Sequence, residues 1–510
     1  LLNRWNPKRS EVIYHLSEGF AKPENGAVKQ ATFKGIAAIN DALKKSGATL
    51  QIRLEEPSGK SAGDIRNSMI VMVEDPVAAG LLGYGPSVAN PRTGEIVGGR
   101  VVLYLGTIKQ TIRTTYEEIR KELLAKKAES AASEAASQAK SGEDTLNHAL
   151  VQSSGRFAPI KLTDSGLDLN TILRTSEMIS TSKSTDLLGS QRFDEKIARD
   201  MVKNYKANAF APADLKQKVD VLSRNCLYTT DLFNFEDAVT KGIRDALKSD
   251  QLKPWEDLSE GERKKLMDVL VPYVWVPTLV HEMGHNLGLR HNFQGSEDKD
   301  NYYSQEELAK MQIQGSIPYS SVMDYSARSI NELPTMGKYD IAALRFGYAR
   351  KVELKDGKTA EVATSLKDLE SAGAALKDFG YCTDEHVSLN AGCKRFDEGT
   401  SLKEIIQYQI KAYEDRYKWR NFRNNNRNFS LSNDSDYAQA IDSQFYNLRL
   451  VLEVYDRVSS RFALKDEDWE SIPFLKDLKE ATALTSAFFK GVIAMPNVTC
   501  VAISVKDQKA

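Results

Sequence analysis

Cysteine and histidine are scarce in these 510 residues, at four and six. Four cysteines in so long a chain exclude a disulfide scaffold. Cys382 and Cys393 are near enough in sequence to close a small loop, whether or not they are oxidised, while Cys226 and Cys500 are isolated. No cysteine has metal-cluster spacing. Long apolar runs are also missing. The best stretches, near 269–280 and 491–505, fall short of the roughly 18–20 residues that span a bilayer, so they read as core segments and no transmembrane segment is expected. Charge is balanced, with 69 Lys plus Arg against 70 Asp plus Glu, so no global field points to nucleic acid or an anionic membrane as partner. The one block that interleaves cations with aromatics, Arg416-Tyr417-Lys418-Trp419-Arg420-Asn421-Phe422-Arg423, reads as a charged helix face with packed aromatics.

Hydrophobic residues make up 41% and charged residues 27%, ordinary values for a soluble globular protein. The length exceeds one ordinary core, so several domains or large insertions are expected. The chain opens Leu1-Leu2-Asn3 without Met, as a processed or recombinant piece would, and a removed signal or pro-segment is compatible with that.

The first hundred residues alternate strand and helix signals. Glu11–His15, Leu50–Leu54, Met69–Val73 and Arg100–Tyr104 read as strands. Residues 26–45 carry Val28, Phe33, Ile36, Ile39 and Leu43 at helical spacing. From about 111 the chain turns polar and helical. Strong helix character returns at 272–289, and a short helix runs from Ile341 to Phe346. The expected order is an N-terminal sheet portion (1–106), a helical insertion (107–264), an active-site portion (265–350) and a mainly helical C-terminal domain (351–510). No internal repeat is visible.

Half of the histidines fall within the segment His281-Glu282-Met283-Gly284-His285-Asn286-Leu287-Gly288-Leu289-Arg290-His291, which fits H-E-x-x-H-x-x-G-x-x-H. On a helix, His281 and His285 project from one face and can reach one ion. Glu282 lies beside that face. Gly288 suits the helix end, because glycine readily takes positive φ there, and the chain can then bring His291 to the same ion. Three His ligands and a water make an open catalytic zinc site rather than a closed structural one. Such a zinc lowers the water's pKa, and Glu282 is the candidate general base and later acid. The bland reading is a helix whose histidines only pack or face solvent, and an intact Glu282 also argues against a metal site that has lost catalysis.

With Ser320-Ser321-Val322-Met323-Asp324-Tyr325 downstream, the sequence resembles the metzincin zinc proteases. It is most similar to large, mostly uncharacterised bacterial zinc-dependent metalloproteases, sharing Gly85-Pro86-Ser87, Asn90 to Glu95, Leu289 to Phe293 and Tyr381 to Asp384 with them. The resemblance implies an α+β catalytic domain, with a twisted mixed sheet and an active-site helix, and one catalytic zinc. It implies Met323 as the structural turn methionine under the imidazoles and Tyr325 as a donor to the oxyanion. Tyr339–Tyr348 is similar to the closing helix of serralysin-like domains. The strand Gly99–Leu105 takes the place of the metzincin edge strand, which makes Val101 and Leu103 the candidate substrate-binding positions; an interior strand is the alternative. Asn292 departs from the residue that named subfamilies carry after the third ligand.

The expected activity is therefore zinc-dependent endopeptidase action on a polypeptide, by a protein expected to be exported to the periplasm, the cell envelope or the medium. Two other readings stay open: a binding or scaffold protein with a relict zinc site, and a zinc amidase for cell-wall peptides. The acidic loop Glu297-Asp298-Lys299-Asp300 could contact calcium, but it lacks the ordered spacing of a calcium loop, and a solvated loop is the simpler reading. His15, His148 and His386 have no partner at ligand spacing, and Asn497-Val498-Thr499 fits a glycosylation acceptor pattern.

Overall fold

The four strands expected from the sequence form the parallel part of one sheet. The computed structural model describes residues 3–75, 82–113, 116–117, 120, 238–248, 252–313, 316–325, 333–371, 373–387, 389–422 and 431–494. All of them fall in the unit Leu1–Lys121 with Lys218–Ala510. Most of the insertion expected over 107–264, with His148, Cys226, Cys500 and the Asn497 to Thr499 pattern, lies outside the described residues.

The strands are β1 (Glu11–Leu16), β2 (Gln51–Glu55), β3 (Ser68–Val73), β4 (Gly83–Tyr84), β5 (Ser87–Ala89) and β6 (Ile96–Tyr104). Their order is β2-β1-β3-β6-β4, with β5 also paired to β6. Strands β1, β2, β3 and β6 run parallel, and β4 and β5 pair antiparallel to β6. Parallel strands are usually covered on both faces, and β3 reads accordingly as the nearly continuous apolar run Met69 to Val73. Helix α1 (Gly26–Ser46) ends where Gly47 adopts φ +83° and its N–H returns to Leu43 and Lys44, an ordinary left-handed stop.

The sheet is crossed by α2 (Glu260–Asn286), which begins earlier than its apolar pattern suggested. Its first turn is fixed by a capping box: Glu262 N–H donates to Ser259 Oγ, and Ser259 N–H donates to Glu262 Oε2 at 2.7 Å. Pro272 and Pro277 lie inside the helix, each removing a donor. Burial of Val274, Trp275, Leu279, Val280 and Met283 outweighs that loss. Trp275 Nε1 donates to Thr32 Oγ1 at 2.9 Å, joining α2 to α1, and at Gly35 a Cβ would stand 2.8 Å from Leu279. A larger residue there would have to displace the end of the Leu279 side chain.

The C-terminal turn of α2 is held by side chains rather than by a further helical turn. The Asn286 carbonyl accepts from Trp5 Nε1 at 2.9 Å and the Leu287 carbonyl from the Tyr348 hydroxyl at 3.0 Å, so carbonyls that a helix end leaves orphaned are satisfied. Gly288 follows at φ +92°, and a Cβ there would overlap the carbonyl oxygen of Asn3. Asn286 itself is fully buried. Its Oδ1 accepts from Tyr14 at 2.8 Å, and its Nδ2 donates to the carbonyls of Gly85 and Arg100, both at 2.9 Å.

Beyond the turn, α3 (Lys338–Leu344) continues into a π-helical turn at Arg345–Ala349. A hairpin of β7 (Lys351–Glu353) and β8 (Thr359–Glu361) follows. The helices α4 (Leu402–Phe422), α5 (Leu431–Arg461) and α6 (Pro473–Ile493) then close a separate apolar cluster around Ile406, Val451 and Leu478. The described residues are thus α+β, with a mixed sheet and a helical C-terminal region. No helix among them is long and apolar enough to cross a membrane.

Three sequence expectations need correction. Strand β6 is interior, and Val101 and Leu103 are fully buried, so neither can contact substrate. Their apolar side chains belong to the core, and the edge is β4 with β5. The long helices of the C-terminal region begin only at Leu402; residues 351–400 hold the hairpin, a short helix at Leu366–Ser371 and loops, of which the stretch with Asp384 and Phe396 reaches the site. The active-site portion starts with α2 at Glu260, before the expected boundary at 265.

Because Asn286 Nδ2 and Oδ1 are matched to three buried partners, Asn286→Ala is expected to cost about 2–4 kcal/mol by leaving them unsatisfied. Urea unfolding in chelator measures this without a metal contribution, and a loss under about 1 kcal/mol would contradict the role given to Asn286.

Candidate metal centre

The C-terminal half of α2 puts His281 and His285 on one face, and the turn at Gly288 returns His291 to them. Ligand atoms of the three residues lie within 4.8 Å of one another, and no other such group of three His, Cys, Asp or Glu occurs among the described residues. Each imidazole is oriented through its Nδ1. That of His281 lies 2.7 Å from the Val322 carbonyl, that of His285 lies 3.1 Å from the Leu289 carbonyl, and that of His291 lies 2.9 Å from Asp384 Oδ2. Carbonyls and an ionised carboxylate only accept, so these Nδ1 atoms carry the proton and Nε2 keeps its lone pair.

Electrostatics favour the same form. Burial, with the neighbouring imidazoles, holds His281 well below the ordinary histidine range. Burial and then His291 lower His285 to about 4. Burial also lowers His291, against the pull of Asp384. Neutral imidazoles are the ligating form. Asp384 feels burial in the opposite sense, yet its bonds to His291 and Arg395 hold its carboxyl below the usual range. The donor set therefore suits a metal ion of the imidazole-binding kind.

Glu282 sits beside this cluster, buried at the edge of the sheet. Burial pushes its carboxyl up to about 8, and the Gly85 amide pulls against that by hydrogen bonding. Gly83 and Gly85 leave the room: a Cβ at Gly83 would come within 2.8 Å of Glu282 Cγ, and one at Gly85 would overlap the Glu282 carbonyl. Strand β4 and Gly85 thus pass directly over the helix.

Met323 lies beneath the helix, fully buried. A Cβ on Gly284 would overlap its sulfur, so the central glycine of the motif makes room for the turn methionine. The turn is tied down by Asp340. Its Oδ2 accepts from Val322 N and Gly337 N, both at 2.7 Å, and its Oδ1 accepts from Ser321 Oγ at 2.6 Å. This explains why α3 follows the turn at a fixed distance. Tyr325 places its hydroxyl 2.9 Å from His291 Nε2, and its ring stacks on Phe396 at 5.4 Å between centroids.

Two participants were missed in the sequence. Asp384 lies 93 residues from His291, on a loop where sequence spacing says nothing about contact. The Tyr381-Cys382-Thr383-Asp384 string entered the sequence reading only as part of a resemblance, with no role attached to Asp384. Asn292 was read as a departure from known subfamilies, and its role is structural. Its N–H donates to the Met323 carbonyl at 3.0 Å, its Nδ2 to the Gly380 carbonyl at 2.9 Å, and its Oδ1 accepts from Cys382 N at 3.1 Å. A disulfide joins Cys382 to Cys393 and packs against Phe293 and Tyr325. His15 and His386 are not part of the ligand group; they sit beside Glu55 and Thr383 respectively.

A family model described as Met-zincin matches residues 262–469, a span that holds the histidine motif, the Met323 turn, α3 and the Asp384 loop. No match was found among curated proteins or among solved structures. The three-histidine cluster lies within the matched span, so the likeness to the Met-zincin family extends to the candidate metal ligands.

Removing the acceptor on His291 should loosen the third ligand. Asp384→Ala is expected to weaken metal binding about 10–100-fold, read by competition of the zinc-loaded chain with a chromophoric chelator. An affinity equal to the parent's would remove Asp384 from the centre.

Proposed function

We propose that this chain is a zinc-dependent endopeptidase. The observation that carries this reading is the convergence of three Nδ1-anchored imidazoles within 4.8 Å, with a buried carboxyl on the adjoining residue. His281, His285 and His291 would hold zinc through Nε2. Bound there, zinc would acidify a water and polarise the scissile carbonyl.

The chain's own groups supply the rest. Glu282 accepts the water's proton on its carboxylate and passes it to the leaving amine, and a buried carboxyl poised near neutrality suits both steps. The Tyr325 hydroxyl, beside His291 Nε2, donates to the oxyanion as charge develops. Extended substrate pairs with the backbone of the β4 and β5 edge, which explains recognition of varied peptides by strand addition. Gly85 links that edge to Glu282, so the strand that binds substrate also positions the base. The Cys382–Cys393 disulfide supports an exported protein, since such bonds persist in oxidising compartments.

Glu282→Ala is expected to abolish cleavage in a digest of proteome-derived peptides while zinc stays near one per chain. Cleavage at the parental rate would refute the role of Glu282. Tyr325→Phe is expected to lower kcat about 100-fold with little change in zinc content. Unchanged kcat would exclude its phenol from oxyanion binding. Running the digest beside peptidoglycan, with and without chelator, separates an endopeptidase from a cell-wall amidase.

A further inference from the structure

On the far side of the Met323 turn, carboxylates gather without matching donors. Asp397 is 1% exposed, and neither of its carboxylate oxygens has a hydrogen-bond partner among the described residues. Asp324, buried in the turn itself, uses Oδ2 to accept from Ser296 N at 2.8 Å, while its Oδ1 is also without a partner there. Asp324 and Glu297 are the first acids that Asp397 meets electrostatically, and all three act on the half-buried phenol of Tyr302. Lys394, itself buried, is the one cation among the described residues that acts on Asp397, set against three acids whose carboxyls burial pushes up.

Buried carboxylates are normally hydrogen-bonded, paired or bound to metal. Nearby Asp340 shows the ordinary solution with three donors. Asp397 has no such set of donors from other residues. We propose that Asp324 and Asp397, with Glu297 at the rim, form a site for a hard divalent cation of the calcium class, distinct from the three-histidine cluster. The donors are all oxygen, which suits such an ion rather than zinc. The acids do not converge as tightly as the imidazoles, whose ligand atoms lie within 4.8 Å. Calcium, with six to eight long and variable contacts that include waters and carbonyls, tolerates that spread where magnesium does not.

The site joins two segments that both touch Tyr325. Asp324 precedes it in the turn. Asp397 follows Phe396, whose N–H donates to the Tyr325 carbonyl at 2.9 Å and whose ring stacks on the phenol. A cation between Asp324 and Asp397 therefore clamps the loop that covers Tyr325 to the turn that carries it. The sequence alone pointed at Glu297 to Asp300 and found no ordered calcium spacing, because the second ligand lies on a distant loop.

The test uses the full chain with its histidine cluster loaded with zinc, so that added calcium cannot be read as filling that centre. Calcium is titrated by calorimetry, terbium is followed by luminescence excited through tyrosine, and melting is recorded with each. The expected result is one calcium per chain beyond the zinc, sensitised terbium emission that calcium quenches, and a melting temperature raised by about 5 °C at saturation. Asp397→Asn should weaken calcium binding at least tenfold, keep its zinc, and melt independently of calcium. A zinc-loaded parent chain that takes up neither ion and whose melting ignores calcium overturns the proposal and assigns shared protons to the acids instead. Parental calcium affinity in Asp397→Asn overturns it equally. Should that variant not fold, the parent chain's calorimetry and terbium emission decide alone.

Discussion

The centre depends on the nitrogen of each imidazole that would not touch a metal. Val322, Leu289 and Asp384 each accept from an Nδ1, and they come from the Met323 turn, the segment after α2 and a loop ninety-three residues on. Fixing Nδ1 fixes the tautomer and the ring plane together. The three acceptors therefore convert a sequence motif into a centre only when three separate segments are in place. Much of the remaining architecture serves that requirement: Asp340 holds the turn, Gly288 and Tyr348 hold the segment after α2, and Asn292 holds the loop.

Buried polar groups show how this is stabilised. Asn286 and Asp340 are each buried and matched donor for acceptor, so their desolvation is offset by bonds whose loss would cost about 1–3 kcal/mol per orphaned group. They rigidify the elements directly above and below the imidazoles. Glycine plays the complementary part through volume. Gly35, Gly83, Gly85 and Gly284 each stand where a Cβ would collide with α2 or with Met323. Close packing of α2 between α1, the edge strand and the turn is thus purchased with side-chain-free positions.

How much of this was legible in the sequence follows the range of the interactions. The ligands, Glu282, the stop at Gly288 and the four parallel strands are local patterns, and helical or strand periodicity exposes them. The start of α2 was misplaced because residues 260–273 are polar on one side and carry their signal in the Ser259 and Glu262 cap rather than in apolar spacing. The edge strand was misassigned because β4 and β5 are short, contain Gly85 and Pro86, and lack the apolar run that made β6 conspicuous. That very run is a mark of an interior strand. Asp384 was invisible for a different reason: a loop contact over ninety-three residues leaves no period to count.

The loop from Gly380 to Asp397 has no long helix or strand, yet it supplies the acceptor for His291 and the ring beneath Tyr325. A chain segment without a ladder of backbone bonds must be ordered by side chains, at about 1–2 kcal/mol of backbone entropy per residue. Part of that is removed in advance by the Cys382–Cys393 crosslink, which spans 11 positions and in the chain-entropy account stabilises by about 3 kcal/mol. Asn292 and Phe293 fasten the crosslinked end to α2's exit through Gly380 and Cys382. The other end, at Phe396 and Asp397, has one backbone bond to Tyr325 and a ring stack, together with two carboxylate oxygens that no other described residue meets with a donor. That is the end at which the proposed cation would act, fastening the Asp397 side of the loop to the Tyr325 turn as the disulfide fastens the Cys382 side.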